Sequence, residues 1–377
     1  MNSHAGTLSA PVSKMGLCLA GGGITGALYQ VGCLAALEEY LADFSSSDFE
    51  VFVGTSSGST VAVALAGGLD ATRLYRALLD PADDFFPLQR NHLLRIDSRE
   101  WRRVWRSAFG AARHLLSSAA SRPLNLDVWE ELERFTDSLP AGIFKLDGYE
   151  RFLGDFLRRR SIPTTFGRLD RKLVLVANDL DAGARAVFGA GDLQHIPIPR
   201  AVIASSAIPG LFAPVRVQER DYVDGGLGEV GHVDLAEEMG CDLILVINPM
   251  VPISADIAAR SVPTGHGKRK RVRDKGLLWV YNQSWRMRAE ARFLRHLAEF
   301  RASHPNTRVV LLEPAADDRV MFMYSPMNFA ARRVILEDGY KATMALLRDE
   351  TSALRVALSS KGLRAKASGS HPQVPRE

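Results

Sequence analysis

The chain has 377 residues, of which 46% are hydrophobic and 24% charged, with a formal net charge of +4. That length allows about two or three domains, but the basic excess is modest, and no zinc-finger spacing, helix-turn-helix signal or long basic stripe argues for nucleic acid. Its three cysteines, Cys18, Cys33 and Cys241, lie in or beside apolar runs, which reads as buried thiols and excludes a disulfide framework or a zinc site. The first residues lack a basic stretch followed by an apolar core, and no segment is apolar over the ~20 residues a bilayer span needs. The expectation is a cytoplasmic chain, soluble or in peripheral contact with a membrane.

Lys14–Ala20 reads as the first core strand. Gly21-Gly22-Gly23-Ile24-Thr25-Gly26 follows at once, and Ala27–Glu39 reads as a largely apolar helix packed on a sheet. Glu50–Val53 is a second buried strand, and Gly54-Thr55-Ser56-Ser57-Gly58 leads from it into a compact helix over 59–66, ended by Gly67-Gly68. Strand, G-x-S-x-G and helix in that order are a nucleophile elbow. Gly54 and Gly58 let strand and helix cross closely around Ser56. The Ser57 N–H falls at a helix start, where it can face an oxyanion, and the Gly21–Gly23 loop can supply further backbone N–H groups.

Residues 71–165 read as a helical insertion or cap. Within it Trp101, Trp105 and Phe109 recur at helical spacing after an N-cap at Ser98, a stripe that suits packing, an acyl channel or lipid contact. Helices are expected at 125–132 and 148–157. Lys172–Ala177 is a buried strand and Ala186–Phe188 a short returning one. Ile203–Ile208 reads as a small-residue helix ended by Pro209-Gly210. Tyr222-Val223 leads into Asp224-Gly225-Gly226, a strong turn signal. Further strands fall at 243–247 and 309–312. Between them Lys268–Arg273 is a basic run in a Pro- and Gly-rich loop, open to anionic headgroups or simply to solvent. A helix over 278–300 carries Arg286, Arg288, Arg292 and Arg295 against an apolar stripe of Met287, Ala291, Leu294 and Ala298, which suits either membrane contact or packing on the domain. Met321–Met327 can border a lipid pocket or fill core. A final helix runs over 328–347, and the tail from Ser359 to Glu377 reads as disordered.

Gly21, Gly23 and Gly26 also fit G-x-G-x-x-G, the dinucleotide fingerprint. Its ribose-binding acid would fall near Glu38, Glu39 or Asp43, but that acid belongs at the end of the second strand, which here ends in Gly54-Thr55-Ser56. No Walker lysine follows the glycines either.

The ordered set Gly21–Gly26, Gly54–Gly58, Ala204–Pro214 and Asp224-Gly225-Gly226 resembles the patatin-like phospholipase family. The resemblance covers roughly residues 14–250 and extends less strongly to about 350. It implies a three-layer α/β/α sandwich with a central, mainly parallel sheet and a helical insertion, forming one acyl-hydrolase domain over 14–350. It further implies a Ser–Asp dyad, with Ser56 as nucleophile, Asp224 as its base, and an oxyanion hole of Gly21, Gly22, Gly23 and Ser57. The expected substrate is a fatty-acyl ester of a phospholipid, lysophospholipid or glyceride, and no metal or organic cofactor is required. Two positions depart from the family. Thr25 stands where Arg or Lys is usual, and no Asn follows Asp-Gly-Gly at the usual distance. Both leave a non-catalytic, lipid-binding member of the fold as the alternative. Of the nine histidines, His232 is the best alternative base, and His195 reads as a loop residue near the site.

Overall fold

The computed structural model describes residues 14–80, 82–93, 95–96, 102, 104–106, 109, 113, 139–228, 231–253, 262–263, 269–315 and 319–367. Its centre is a sheet in which β1 (Lys14–Leu19), β2 (Val51–Thr55), β5 (Lys172–Asp179), β10 (Cys241–Ile247) and β13 (Arg308–Leu312) run parallel in the order β13-β10-β1-β2-β5. Three further strands, each paired antiparallel with its neighbour, complete it: β6 (Ala184–Phe188) and β9 (Arg220–Asp224) on β5, and β8 (Val215–Val217) on β9. Two short strands, β3 (Arg95–Ile96) and β4 (Gly142–Lys145), form a separate small sheet with β7 (Gly210–Phe212), and a ribbon pairs β11 (Val262–Pro263) with β12 (Arg269–Lys270).

The parallel strands are apolar on both faces, as a sheet covered on both sides demands. Alternation divides their side chains. Leu17, Leu19, Phe52, Leu173 and Leu175 enter one cluster with helices α1 (Gly23–Tyr40) and α2 (Ser57–Ala66). Cys18, Val51, Val53, Val174 and Val246 enter the other, beneath α7 (Val233–Glu238) and α8 (Leu277–Ser303). This is the expected α/β fold with a central, mostly parallel sheet. Helices α3 (Ala71–Leu79), α4 (Arg90–Leu93), α5 (Asp147–Arg159) and α6 (Ile198–Ser205) lie between the strand pairs, and α9 (Arg319–Met323), α10 (Arg332–Arg348) and α11 (Ala353–Ser360) close the chain.

Several elements differ from expectation. α1 begins at Gly23, four residues early, because the left-handed Gly22 and Gly23 make the whole turn and packing outweighs the poor propensity of glycine. α6 occupies 198–205 rather than 203–208, since Pro199 suits a first helical turn. The region read as purely helical contains β3 and β4, whose extended backbone pairs with each other and with β7. Trp105 and Phe109 are more than 70% exposed, so they do not line an acyl channel. Trp101, the Ser98 cap, the helix expected at 125–132 and Lys268 lie outside the described residues. The tail is ordered further than 359. α11 runs to Ser360 and is capped by Ser352, whose side-chain oxygen accepts from the Arg355 N–H (3.1 Å). Leu354 and Leu358 of that helix are buried, and Ala365 beyond it bridges Leu41. Residues 368–377 are outside the described set.

Glu38 closes the other end of α1. Its carboxylate accepts from the N–H groups of Ser46 (2.8 Å), Ala71 (2.8 Å) and Thr72 (2.7 Å). In Glu38→Gln an amide N–H₂ would face a backbone donor. We expect about 2 kcal/mol less stability, read as a lower urea midpoint with an unchanged slope.

Candidate active site

The register of β5 explains how two distant segments meet. Val176 pairs with Thr55 of β2 on one side and Val187 of β6 on the other. The next residue, Ala177, pairs with Ala186 of β6 and with Asp224 of β9. A strand has two edges, so β2 and β9 share one edge end to end. Ser56 follows the last residue of β2, and Asp224 is the last residue of β9. The head-on approach of the two strands sets them side by side at the C-terminal edge of the parallel strands, where open α/β sheets form their sites.

Ser56 sits at φ 54 and ψ −128, a conformation that side-chain-bearing residues rarely adopt. Three contacts hold it. Its N–H donates to Ser205 Oγ (2.8 Å), the Ser205 hydroxyl donates to the Val176 carbonyl (2.6 Å), and its carbonyl accepts from the Ser59 hydroxyl. A Cβ on Gly58 would overlap the carbonyl oxygens of Leu19 and Ala20, so only glycine lets the first turn of α2 press against the end of β1.

Asp224 is buried, with 2% exposure. Its Oδ1 accepts from Gly226 N–H (2.8 Å), and Asn178 Nδ2 donates to its backbone carbonyl (2.7 Å). Burial pushes its carboxyl up to about 6, against hydrogen bonds from the Ser56 hydroxyl and Gly226 N–H that pull it down. The loop is held from outside by Trp285 of α8, whose Nε1–H donates to the Gly226 carbonyl (3.0 Å).

The glycine loop lies on the other side of Ser56. Gly22 and Gly23 both have positive φ, at 146 and 66. Gln30 Nε2 donates to the Ala20 carbonyl (2.6 Å) and fixes the start of the loop. Thr25 is buried, with its N–H on the Pro326 carbonyl (3.2 Å) and its hydroxyl on the Gly22 carbonyl (3.3 Å). The position usual for a cation is therefore turned inward and supports the loop.

Two cavities meet at this point. A wide one, about 470 Å³, is bounded by Gly21, Gly22, Gly23, Thr55, Ser56 and Asp224 on the sheet side, and by Trp285 and Tyr281 of α8 opposite. A narrow one, about 100 Å³, runs between α1, α2 and α5 past Ile24, Leu28, Val61, Leu74, Phe86 and Tyr149. Gly23, Ser56, Ile208 and Met327 border both, while Ser57 borders the narrow one. Of the residues that sequence reasoning singled out, Gly21, Gly22, Gly23, Ser56, Ser57 and Asp224 border one or both cavities, while Gly26, Gly54 and Gly58 line neither. Both readings of the Met321–Met327 segment hold in part, since Met321 is buried in the core while Ser325, Pro326 and Met327 border the wide cavity.

The alternative assignments lie elsewhere. His195 is exposed and contacts Gln218 (2.9 Å). His232 is buried at the start of α7, where burial and the Arg185 guanidinium keep its ring neutral. Neither is among the described residues bordering the cavities. Glu38, one of the acids weighed for a ribose, is committed to the three backbone N–H groups named above.

The patatin-like phospholipase family model matches residues 17–236, more than half of the chain, from the first strand through the Asp224 turn. The chain belongs to the patatin-like phospholipase family. A curated relative, the uncharacterised protein YqhO of Bacillus subtilis strain 168, is 27% identical over 220 residues, covering 55% of this chain and 61% of that protein. The chain therefore spans about three fifths of the length of that relative. Among solved structures it is similar to VipD from Legionella pneumophila at 17% identity, with 90% of this chain and 67% of that one covered and a TM-score of 0.35. It is also similar to human GIVD cytosolic phospholipase A2, solved in complex with methyl γ-linolenyl fluorophosphonate, at 13% identity, 92% and 60% coverage and a TM-score of 0.34.

Proposed function

We propose that this chain is a serine acyl hydrolase that cleaves fatty-acyl esters of glycerolipids through Ser56 and Asp224. The observation that carries this reading is the placement of Ser56, in a strained turn, and of the buried Asp224 on the border of one cavity, where β2 and β9 meet end to end. Asp224 accepts the hydroxyl proton as Ser56 Oγ bonds to the acyl carbonyl carbon. The negative oxygen of the tetrahedral intermediate is stabilised by backbone N–H groups of Gly22, Gly23 and Ser57. Collapse breaks the bond to the alcohol oxygen, and Asp224 returns the proton to that leaving group. Water then gives a proton to Asp224 and attacks the acyl-enzyme. The carboxylic acid departs and Ser56 regains its proton.

The narrow apolar cavity suits the acyl chain, and the wide one beside Asp224 suits the alcohol half, which must lie near the group that protonates it. No helix among the described residues is long and apolar enough to cross a membrane. A cytoplasmic protein in peripheral contact with lipid fits this reading.

The test is exposure of the folded protein to a serine-directed fluorophosphonate, followed by peptide mass mapping and by turnover of medium-chain p-nitrophenyl esters. We expect one adduct, on Ser56, and ester turnover. Folded protein that shows neither would point to the lipid-binding alternative, in which the same cavities hold an acyl chain without cleaving it.

A further inference from the structure

Four residues of α8, Leu277, Tyr281, Asn282 and Trp285, border the wide cavity, and a buried cation stands behind them. Arg286 is 3% exposed. Its Nε donates to Asn282 Oδ1 (2.8 Å), one helical turn away. Its Nη1 donates to the carbonyls of Pro249 (3.1 Å) and Val251 (2.9 Å). Met250, between those two carbonyls, also borders the cavity. One guanidinium thus fixes both a loop and a helix of the cavity wall. Burial pushes Arg286 down to about 10, which leaves it charged at neutral pH.

The consequence for Asn282 follows from donor and acceptor chemistry. A guanidinium has donors only, so the atom facing Arg286 must be the amide oxygen. The amide cannot flip without setting donor against donor. Its two N–H bonds therefore face away from Arg286, on a residue that borders the cavity. Among the described residues bordering this cavity there is no lysine or arginine, while the Asp224 carboxylate is present. An anionic group would be repelled by that carboxylate, whereas a neutral oxygen would not.

Building on the acyl-hydrolase reading above, we propose that Asn282, held by Arg286, recognises the alcohol half of the substrate by donating to an uncharged oxygen such as a glycerol hydroxyl. The favoured substrates are then neutral acylglycerols rather than esters of plain alkanols. Asn282 is a specificity-determining residue, and Arg286 is the residue that positions it.

Asn282→Asp is close to isosteric and keeps an oxygen for Arg286, but loses both donors. We expect kcat/KM for 1-octanoylglycerol to fall about tenfold, the order of one hydrogen bond, with propyl octanoate changed less than about twofold on the same reasoning. An equal fall on both esters, or an unchanged preference between them, overturns the proposal. A second readout does not depend on turnover. In the Ser56→Ala background, binding of 1-O-octylglycerol and of octyl propyl ether is followed by fluorescence of Trp285, which borders the same cavity. Asn282→Asp should weaken the alkylglycerol alone. If wild type cleaves neither ester, the hydrolase reading fails while the binding comparison still decides the role of Asn282, and equal binding of both ligands before and after the substitution rejects it.

Discussion

Turnover of a medium-chain acyl ester is expected to fall by at least about 10⁴-fold in Ser56→Ala, the scale on which removing a serine nucleophile acts. Fluorophosphonate labelling should vanish with it. The same position makes a second, independent demand on stability. Ser56 occupies φ 54 and ψ −128, where a side chain costs on the order of 1–3 kcal/mol. Ser56→Ala keeps that cost, because Ala also carries a Cβ. Ser56→Gly removes it and gives back part through the greater freedom of glycine in the unfolded chain, about 0.5–1 kcal/mol. Both variants lack the hydroxyl, so their difference isolates the strain. We expect Ser56→Gly to be more stable than Ser56→Ala by about 1 kcal/mol in urea melts, and equally inactive. Equal stability would mean that the turn stores no more strain than the ~0.5–1 kcal/mol that glycine gives back. Undiminished activity in Ser56→Ala would falsify the nucleophile assignment.

What the sequence makes legible follows the range of the interactions concerned. The β1, β2, β5 and β10 runs are readable because a strand buried on both faces needs an unbroken apolar run, which is local information. The glycine motifs are readable for a similar reason, since a turn with positive φ or a close crossing leaves few residue choices. The supports of the site are not. Ser205 holds Ser56 from 149 residues away, and Trp285 holds Gly226 from 59 away. In the sequence both are one more serine in a small-residue segment and one more aromatic on a helix. Arg286 is the sharper case. Grouped in the sequence with the exposed arginines of its helix, it shares the buried face with Ala289, Phe293, Leu297 and Phe300, while Met287 and Leu294 of the stripe read as apolar are exposed, and it is bonded to carbonyls and an amide of the cavity wall. The helix carries apolar residues on two faces, and periodicity alone does not say which of them meets the sheet. Thr25 shows the same limit in reverse. Its departure from the family pattern reads as a loss at the site, and the structure gives it a place inside the loop instead.

Asp224→Asn should lower kcat by about 10³–10⁴-fold, toward the upper end of what general-base catalysis supplies, while leaving the fold intact. Asn can still accept from Gly226 N–H, and its amide can donate to the Ser56 hydroxyl. The pH dependence sharpens the test. A base must be deprotonated, so wild-type kcat/KM should rise with pH through an apparent pKa near 6, the value to which burial pushes Asp224. The residual activity of the variant should lack that limb. Stability should move the other way. The folded carboxyl titrates above its unfolded value, so between about pH 4 and pH 6 the folded state binds more protons and loses stability as pH rises. A shift of about two units corresponds to roughly 3 kcal/mol at pH 8, a cost that Asn does not carry. Asp224→Asn should therefore be more stable than wild type at pH 8 by about 2–3 kcal/mol, with the two converging near pH 4. Urea melts across that range, paired with the rate profile, separate a buried base from a merely structural aspartate. A buried aspartate with a purely structural role would give the same gain in stability at pH 8 but leave the rate profile in place.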